Sequence, residues 1–398
     1  MKLLSEPDVY EPQEDSFLME NLVIKFAFGS VLEIGTGSGI LSIAAASSEN
    51  VDSVLACDIN ERALLLAKKN AKLNKVKIKF VYSDLFSKIK KKFDFIIFNP
   101  PYLPEDKRCP DDLLEKALSG GRKGHETLER FFLSLSDHLA AGGKALVVFS
   151  SLTGKEKIDS IIQDCLFEKE MVASEKLGFE ELHSYIVSKS ALLKKIESKK
   201  ISSIKKLAKG WRGIVYSAIL GRKRIAIKIE NPDSTAVGRI ENEEIMLALV
   251  NKKGIGPKLF ISENDFFADE FVDGERILVY LSHCSKEEAL SVLSKTLGQC
   301  FILDKAGISK EEMHHPIKHV IISKNKPVMI DFERAHFAAN PSNLTQFCQF
   351  ICSEPVFSLL LKKGIDFDRQ VLLGLCREYK KDYSPASLKR IMRLIKSG

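Results

Sequence analysis

Phe93-Asp94-Phe95-Ile96-Ile97-Phe98-Asn99-Pro100-Pro101-Tyr102 decides how this chain is read. The first six residues are an apolar, strand-like run, and the last four form a stiff turn at its end. Asn-Pro-Pro can be no more than such a turn. Its groups nevertheless suit the methylation of a planar NH2 nitrogen, a poor nucleophile because its lone pair is delocalised into a carbonyl or a ring. The Asn99 side-chain oxygen and the Pro100 carbonyl can each accept one N–H of the target and stabilise the positive charge developing there. Tyr102 can stack on the flat group. Asn99, Pro100 and Tyr102 are therefore the candidate catalytic residues.

Working upstream, Val31-Leu32-Glu33-Ile34 predicts a short strand running into Gly35-Thr36-Gly37-Ser38-Gly39, with a helix over 40–47. The spacing G-x-G-x-G departs from the G-x-G-x-x-G of a dinucleotide site, but glycines here still let the backbone approach a ligand closely. A second strand, 53–57, ends in Asp58, where a carboxylate can take both hydroxyls of a ribose. A third, 77–82, ends in Ser83-Asp84, placing Asp84 to accept from an adenine amine. Each acid alone can be a solvated loop residue or a helix cap. Gly, Asp, Asp and Asn at four successive strand ends make a pattern. The Glu33-Ile34-Gly35 opening is similar to motif I of class I S-adenosylmethionine-dependent methyltransferases, with Glu33 supporting the loop that Gly35, Gly37 and Gly39 shape.

Residues 1–190 resemble, more narrowly, the HemK-like methyltransferases of the short archaeal and eukaryotic type. Tyr10-Glu11-Pro12-Gln13-Glu14-Asp15-Ser16-Phe17-Leu18 matches the family's YEPxEDtFL opening, Ser119-Gly120-Gly121-Arg122-Lys123-Gly124 with Arg130-Phe131-Phe132 its GGxxG...RFF segment, and 175–188 its terminal hairpin. The resemblance implies an α/β, Rossmann-like seven-stranded sheet of order 3-2-1-4-5-7-6. It also implies S-adenosylmethionine as cofactor, with Tyr10, Glu14 and Asp15 over it. The implied acceptor is the glutamine amide of the Gly-Gly-Gln motif of a class I peptide-chain release factor. Bacterial members add an N-terminal helical domain, for which so early a motif leaves no room. Archaeal and eukaryotic members work with a small zinc-binding activator subunit, expected here too. Asn-Pro-Pro-Tyr also serves adenine and guanine N-methyltransferases acting on RNA or DNA, so that alternative stays open. The net charge of +7 suits RNA and a release factor equally. Lys88-Ile89-Lys90-Lys91-Lys92 reads as a solvated loop.

At 398 residues the chain has room for two domains. Residues 191–206 carry Lys, Ser and a helical apolar spacing and read as a linker or bridging helix. Residues 207–398 show a different pattern. Gly210-Trp211-Arg212-Gly213 resembles the glycine-rich loop of protein kinases, with Ala208 in place of the first glycine, and Ile225-Ala226-Ile227-Lys228 resembles the strand bearing the phosphate-pairing lysine. Glu243 stands as that lysine's helix partner, and Ile330-Asp331-Phe332-Glu333 stands in the place of the DFG motif, with Asp331 as the expected Mg²⁺ ligand. The resemblance, closest to small RIO-type atypical kinases, implies an α+β kinase-like domain binding ATP and Mg²⁺, either catalytic as a kinase or ATPase or a pseudokinase. The catalytic loop departs from the pattern. His314 and His319 stand where an aspartate and an asparagine belong, and a two-residue shift offers Glu312 instead. His315 and His319 have the i, i+4 spacing of metal ligands, but Pro316 intervenes and no third ligand is evident.

Eight cysteines, Cys57, Cys109, Cys165, Cys284, Cys300, Cys348, Cys352 and Cys376, form no C-x-x-C pair and suit a reducing compartment. With no leader-like start and no apolar run of about 18 residues, the expectation is a cytoplasmic protein without a membrane anchor. The basic amphipathic stretch 388–396 packs on the second domain or touches RNA.

Overall fold

The computed structural model describes residues 1–103, 105, 120–232, 234 and 239–397. Cys109 and Ser119 lie outside the described residues. The chain divides into two compact units, Met1–Lys206 with Ala218–Gly221, and Leu207–Ser217 with Arg222–Gly398.

In the first unit, strands β1 (Gly29–Ile34), β2 (Val51–Asp58), β3 (Lys79–Tyr82), β4 (Phe93–Phe98), β5 (Leu139–Ser150), β6 (Phe167–Leu177) and β7 (Glu180–Lys189) form one sheet of order β3-β2-β1-β4-β5-β7-β6. This is the class I methyltransferase topology anticipated from the sequence. The first five strands run parallel, and β7 joins β5 antiparallel. Parallel strands are covered on both faces, which is why β1 and β4 read as largely apolar runs, interrupted by Glu33 in the first and Asp94 in the second. One face packs Val31, Phe95, Ile97, Leu146 and Val148 against helices α1 (Glu14–Phe26) and α2 (Ile40–Ala46). On α4 (Glu126–His138), Phe131 stacks on Phe98 with centroids 4.7 Å apart and on Phe86 at 5.4 Å.

Register brings the strand ends level. Ile34 pairs with Cys57 on one side and Phe98 on the other, so Gly35, Asp58 and Asn99 emerge in one row. Strand order reverses between β2-β1 and β1-β4, and the carboxyl ends at such a switch point open a crevice. The N-terminal stretch is zipped to α3 (Glu61–Leu73): Asn60 donates to the Asp8 carbonyl at 3.1 Å, and Asn70 accepts from Leu4 N–H at 2.8 Å.

Of the two readings of residues 191–206, the structure shows the helix, followed by a strand. Ser190 caps a helix over Ala191–Ser198, its hydroxyl accepting from Leu193 N–H at 3.1 Å, and the apolar spacing serves to bury Leu193 and Ile196. Lys189, fully buried, bonds the Ser136 carbonyl at 2.7 Å and pairs with Glu197 at 2.6 Å, so the helix is tied to the sheet by a buried ion pair. Strand β8 (Ile201–Lys209) follows directly.

A five-stranded sheet of order β11-β12-β10-β9-β8 is completed by β9 (Gly213–Leu220), β10 (Lys223–Glu230), β11 (Leu259–Glu263) and β12 (Phe266–Glu270). The helix Arg239–Asn251 lies between β10 and β11 in the chain. Beyond it the second unit is largely helical, around the helix Lys286–Lys305, which starts at a full capping box of Ser285 and Glu288. A hairpin, Val320–Ser323 with Lys326–Met329, turns through Lys324 and Asn325, both at positive φ. It delivers Asp331 at its end. Among the described residues no single helix is long and apolar enough to cross a membrane.

Candidate active site

The crevice of the first unit is a cavity of about 430 Å³ lined by the N-terminal stretch, the glycine loop, and the ends of β2, β3 and β4. That size accommodates a nucleoside-sized ligand. Gly37 sits at φ +53° with open space where a Cβ would be, and its N–H donates to Asp58 Oδ2 at 2.9 Å. Gly39, at φ +86°, would place a Cβ 3.0 Å from that of Ala67, so only glycine lets α2 start this close to α3. Glu33, 1 % exposed, accepts from Thr36 Oγ1 at 2.5 Å and so anchors the loop from beneath. Burial pushes its carboxyl up to about 8.

Asp58 lines the cavity with its carboxylate fixed by backbone donors, Gly37 N–H on one oxygen and Asn60 N–H at 2.8 Å on the other. Burial raises its pKa above the ordinary value. Asp84 and Arg130 also line the cavity, paired at 2.6 Å. The pairing takes one of the Asp84 oxygens expected for an adenine amine, and it brings in an arginine that sequence reading had quoted only as part of a motif.

Asp15, expected over the cofactor, does not line the cavity and sits behind Asn99. It is 5 % exposed, and Oδ2 accepts from Asn99 Nδ2 at 2.8 Å while Oδ1 accepts from Ser16 N–H at 2.7 Å and the Tyr10 hydroxyl at 3.2 Å. A carboxylate only accepts, so the Asn99 amide must turn its NH2 toward Asp15. Its Oδ1 is thereby aimed the other way, buried and without a hydrogen-bond partner among the described residues. A buried acceptor left unpaired costs about 1–3 kcal/mol unless a ligand satisfies it. Tyr102 brings its hydroxyl to 3.5 Å from Asp15 and packs among the core residues. Burial, reinforced by Asp15, raises the pKa of both Tyr10 and Tyr102 and keeps them protonated. Pro100 is buried, and Tyr10 lines the cavity as expected. Glu14 does not. It is exposed and faces a separate hollow with Leu152 and residues 177–180.

The second unit gathers a different set. Lys228 pairs with Glu243 on the helix Arg239–Asn251 and stands 3.7 Å from Asp331. The Gly210–Gly213 turn is closed by Gly210 N–H to the Gly213 carbonyl at 2.8 Å and pinned by Asn231, and a Cβ on Gly213 would lie 3.4 Å from Lys228 Cε. His314 is exposed and outside this set. Glu312 and His319 instead converge on Asp331, with His319 Nε2 3.0 Å from Glu312. Lys310, which sequence reading passed over, is 1 % exposed and donates to the Asp331 carbonyl at 2.6 Å. Burial lowers its ammonium to about 8. Burial works against ionisation of Asp331, yet Lys228, Lys310 and His319 together hold its carboxyl below the ordinary value.

Residues 13–180 match the family model described as the methyltransferase small domain. A putative protein N5-glutamine methyltransferase of Methanocaldococcus jannaschii is 44% identical over 184 residues, 46% of this chain and 92% of that protein. Methyltransferase HEMK2 of Homo sapiens is 32% identical over 194 residues, 46% of this chain and 91% of its own. Of solved structures, the E. cuniculi Mtq2–Trm112 complex, which methylates the termination factor eRF1, matches over 46% of this chain and 99% of that one, at 22% identity and a TM-score of 0.38. Through its N-terminal unit the chain belongs to the HemK-like family of S-adenosylmethionine-dependent protein N5-glutamine methyltransferases.

Proposed function

We propose that the N-terminal unit methylates the glutamine side-chain amide of the Gly-Gly-Gln motif in a class I release factor, with a small zinc-binding activator subunit as partner. The observation that carries this reading is the Oδ1 of Asn99, buried beside the cavity and unpartnered among the described residues. The residues fit S-adenosylmethionine. Gly37 leaves its backbone face open, Asp58 is held to receive the ribose hydroxyls, and Asp84 with Arg130 borders the adenine end. When bound, that cofactor supplies an electrophilic methyl on a sulfonium centre. Asn99 Oδ1 accepts one N–H of the glutamine amide and the Pro100 carbonyl the other, fixing the nitrogen's approach and stabilising its positive charge until a proton leaves to water. Asp15 acts as a positioning residue, holding Asn99 in the accepting orientation.

The test is radiolabelled methyl transfer to purified release factor, tRNA and rRNA side by side, with and without the activator. Label on the release factor, lost when its Gly-Gly-Gln glutamine is changed, supports the reading. Label on RNA alone replaces it with nucleic-acid amine methylation. The relatives named release factor glutamine methyltransferases, such as that of Lactococcus lactis, 32% identical over 145 residues, favour the first outcome.

A second reading belongs to the C-terminal unit, which we infer to be kinase-like and to bind ATP with a divalent ion. The Lys228–Glu243 pair beside Asp331, under a short glycine turn, supports it. Whether phosphate moves is read by incubating the full chain with labelled ATP and following phosphoprotein and free phosphate.

A further inference from the structure

Glu312, His319 and Asp331 come from three separate stretches: a short turn over Glu312–His314, the residue preceding the strand Val320–Ser323, and the second residue after the strand Lys326–Met329. A ligand-type atom of each lies within 4.8 Å of the other two. The two imidazole nitrogens are used differently. Nε2 faces the Glu312 carboxylate, 3.0 Å from Oε2. Glu312 is held in turn by Arg334 at 3.3 Å. In the tautomer whose proton is on Nε2, toward that carboxylate, Nδ1 carries a bare lone pair. Nδ1 is buried, has no hydrogen-bond partner among the described residues, and stands 3.5 Å from Asp331 Oδ2, which is also only an acceptor. Two acceptors facing each other in a partly buried site repel unless a cation lies between them. The spacing is that of a shared ion, since two ligand atoms at about 2.1 Å from a tetrahedral metal are about 3.4 Å apart.

We infer that His319 Nδ1 and Asp331 Oδ2 bind a divalent first-row transition ion, with Glu312 orienting the imidazole as a carboxylate–histidine–metal triad does. An imidazole nitrogen is a poor ligand for Mg²⁺, which prefers oxygen, and a good one for the borderline metals. The ion therefore differs from the Mg²⁺ expected at Asp331 on the kinase resemblance. The remaining nearby cations do not fill this gap. Lys228 is paired with Glu243 and approaches Asp331 only on its other oxygen, Oδ1, at 3.7 Å, Lys310 is committed to the Asp331 backbone carbonyl, and Arg334 to the other oxygen of Glu312. The inference concerns the same site as the nucleotide reading but does not require that ATP binds.

The test uses the full chain, stripped with a chelator and free of nucleotide. Mn²⁺ is the probe because thiols compete poorly for it, and its binding is counted by loss of the free-ion electron paramagnetic resonance signal. Mg²⁺ is followed by calorimetry. One equivalent of Mn²⁺ is expected, bound at least tenfold more tightly than Mg²⁺. His319→Ala weakens Mn²⁺ at least tenfold, Glu312→Gln weakens it about 10- to 100-fold as outer-sphere partners do, and His319→Asn, which substitutes an amide oxygen, shifts the preference toward Mg²⁺. Circular dichroism and melting curves show that each variant is folded. The inference is overturned if the folded wild-type chain binds no Mn²⁺, binds Mg²⁺ as tightly, or keeps its Mn²⁺ affinity in both His319 variants. ATP binding is measured separately, so loss of the nucleotide reading with Mn²⁺ binding retained, or the reverse, is a distinct result.

Discussion

Asp15→Asn alters one atom of a buried carboxylate and separates two roles for the residue. Asp15 satisfies Ser16 N–H on Oδ1 and the Asn99 amide on Oδ2. An asparagine has a single oxygen for these two donors. The Ser16 N–H is backbone, 2.7 Å away and unable to rotate, so it keeps the oxygen. The new NH2 then faces Asn99, whose amide must flip and turn its own NH2 toward the acceptor site. A hydrogen-bond acceptor for the developing cation becomes a donor against it. A hydrogen bond to a charged group contributes about 1.5–3 kcal/mol, which predicts a fall in single-turnover rate of roughly 10- to 150-fold. Disturbing the hydrogen bonds of this buried carboxylate costs about 1–3 kcal/mol of stability, so a melting curve is recorded to show that the variant is folded. The assay pairs calorimetry of S-adenosylmethionine binding with rapid-quench methyl transfer to the release factor. A cofactor affinity within twofold of wild type, beside the slowed transfer, is expected. If affinity falls by the full factor while the rate at saturating cofactor is unchanged, Asp15 belongs to the cofactor site and the clamp reasoning is wrong.

Three further outcomes are expected. Asn99→Ala leaves S-adenosylmethionine binding nearly intact and lowers turnover at least a hundredfold, because its open contact is made to the acceptor; calorimetry and single-turnover kinetics showing equal losses would contradict this. Glu33 is raised from its ordinary carboxylate range to about 8 in the fold. The native state therefore binds more protons than the unfolded chain between about pH 4.5 and pH 8, and Glu33 costs stability as pH rises through that window, by at most about 1.4 kcal/mol per pH unit. Denaturant titrations of wild type and Glu33→Gln across the window should diverge in that direction, and parallel curves would reject the assignment. Lys228→Ala strands Glu243, which is 5 % exposed, so it should lower the melting temperature of the C-terminal unit and abolish any shift given by ATP with a divalent ion.

The strand ends were legible because they follow from short-range rules: apolar runs of strand length, a glycine loop after one, and an acid one or two residues beyond two others. Gly35, Asp58 and Asn99 then fall into line through register alone. Asp15 was found, but its bond to Asn99 was not. Neighbours on a helix point about 100° apart, and that rotation buries Asp15 and exposes Glu14, which a motif read as a string does not show. Arg130 reaches Asp84 across 46 positions, a contact set by the docking of α4 on the sheet. In the second unit, Glu311 takes φ +67°, and that left-handed residue turns Glu312 inward while leaving His314 in solvent. No spacing rule encodes such a twist. The third ligand-type group that His319 lacked in sequence is supplied by Asp331, twelve residues on, through a hairpin.

Tyr10 belongs to two places at once, since its ring lines the cavity while its hydroxyl holds Asp15. The N-terminal stretch that lines the cavity is thus also the tether of the group that sets the Asn99 amide, so a change at Tyr10 reaches both the wall of the cavity and the orientation of the acceptor at its edge.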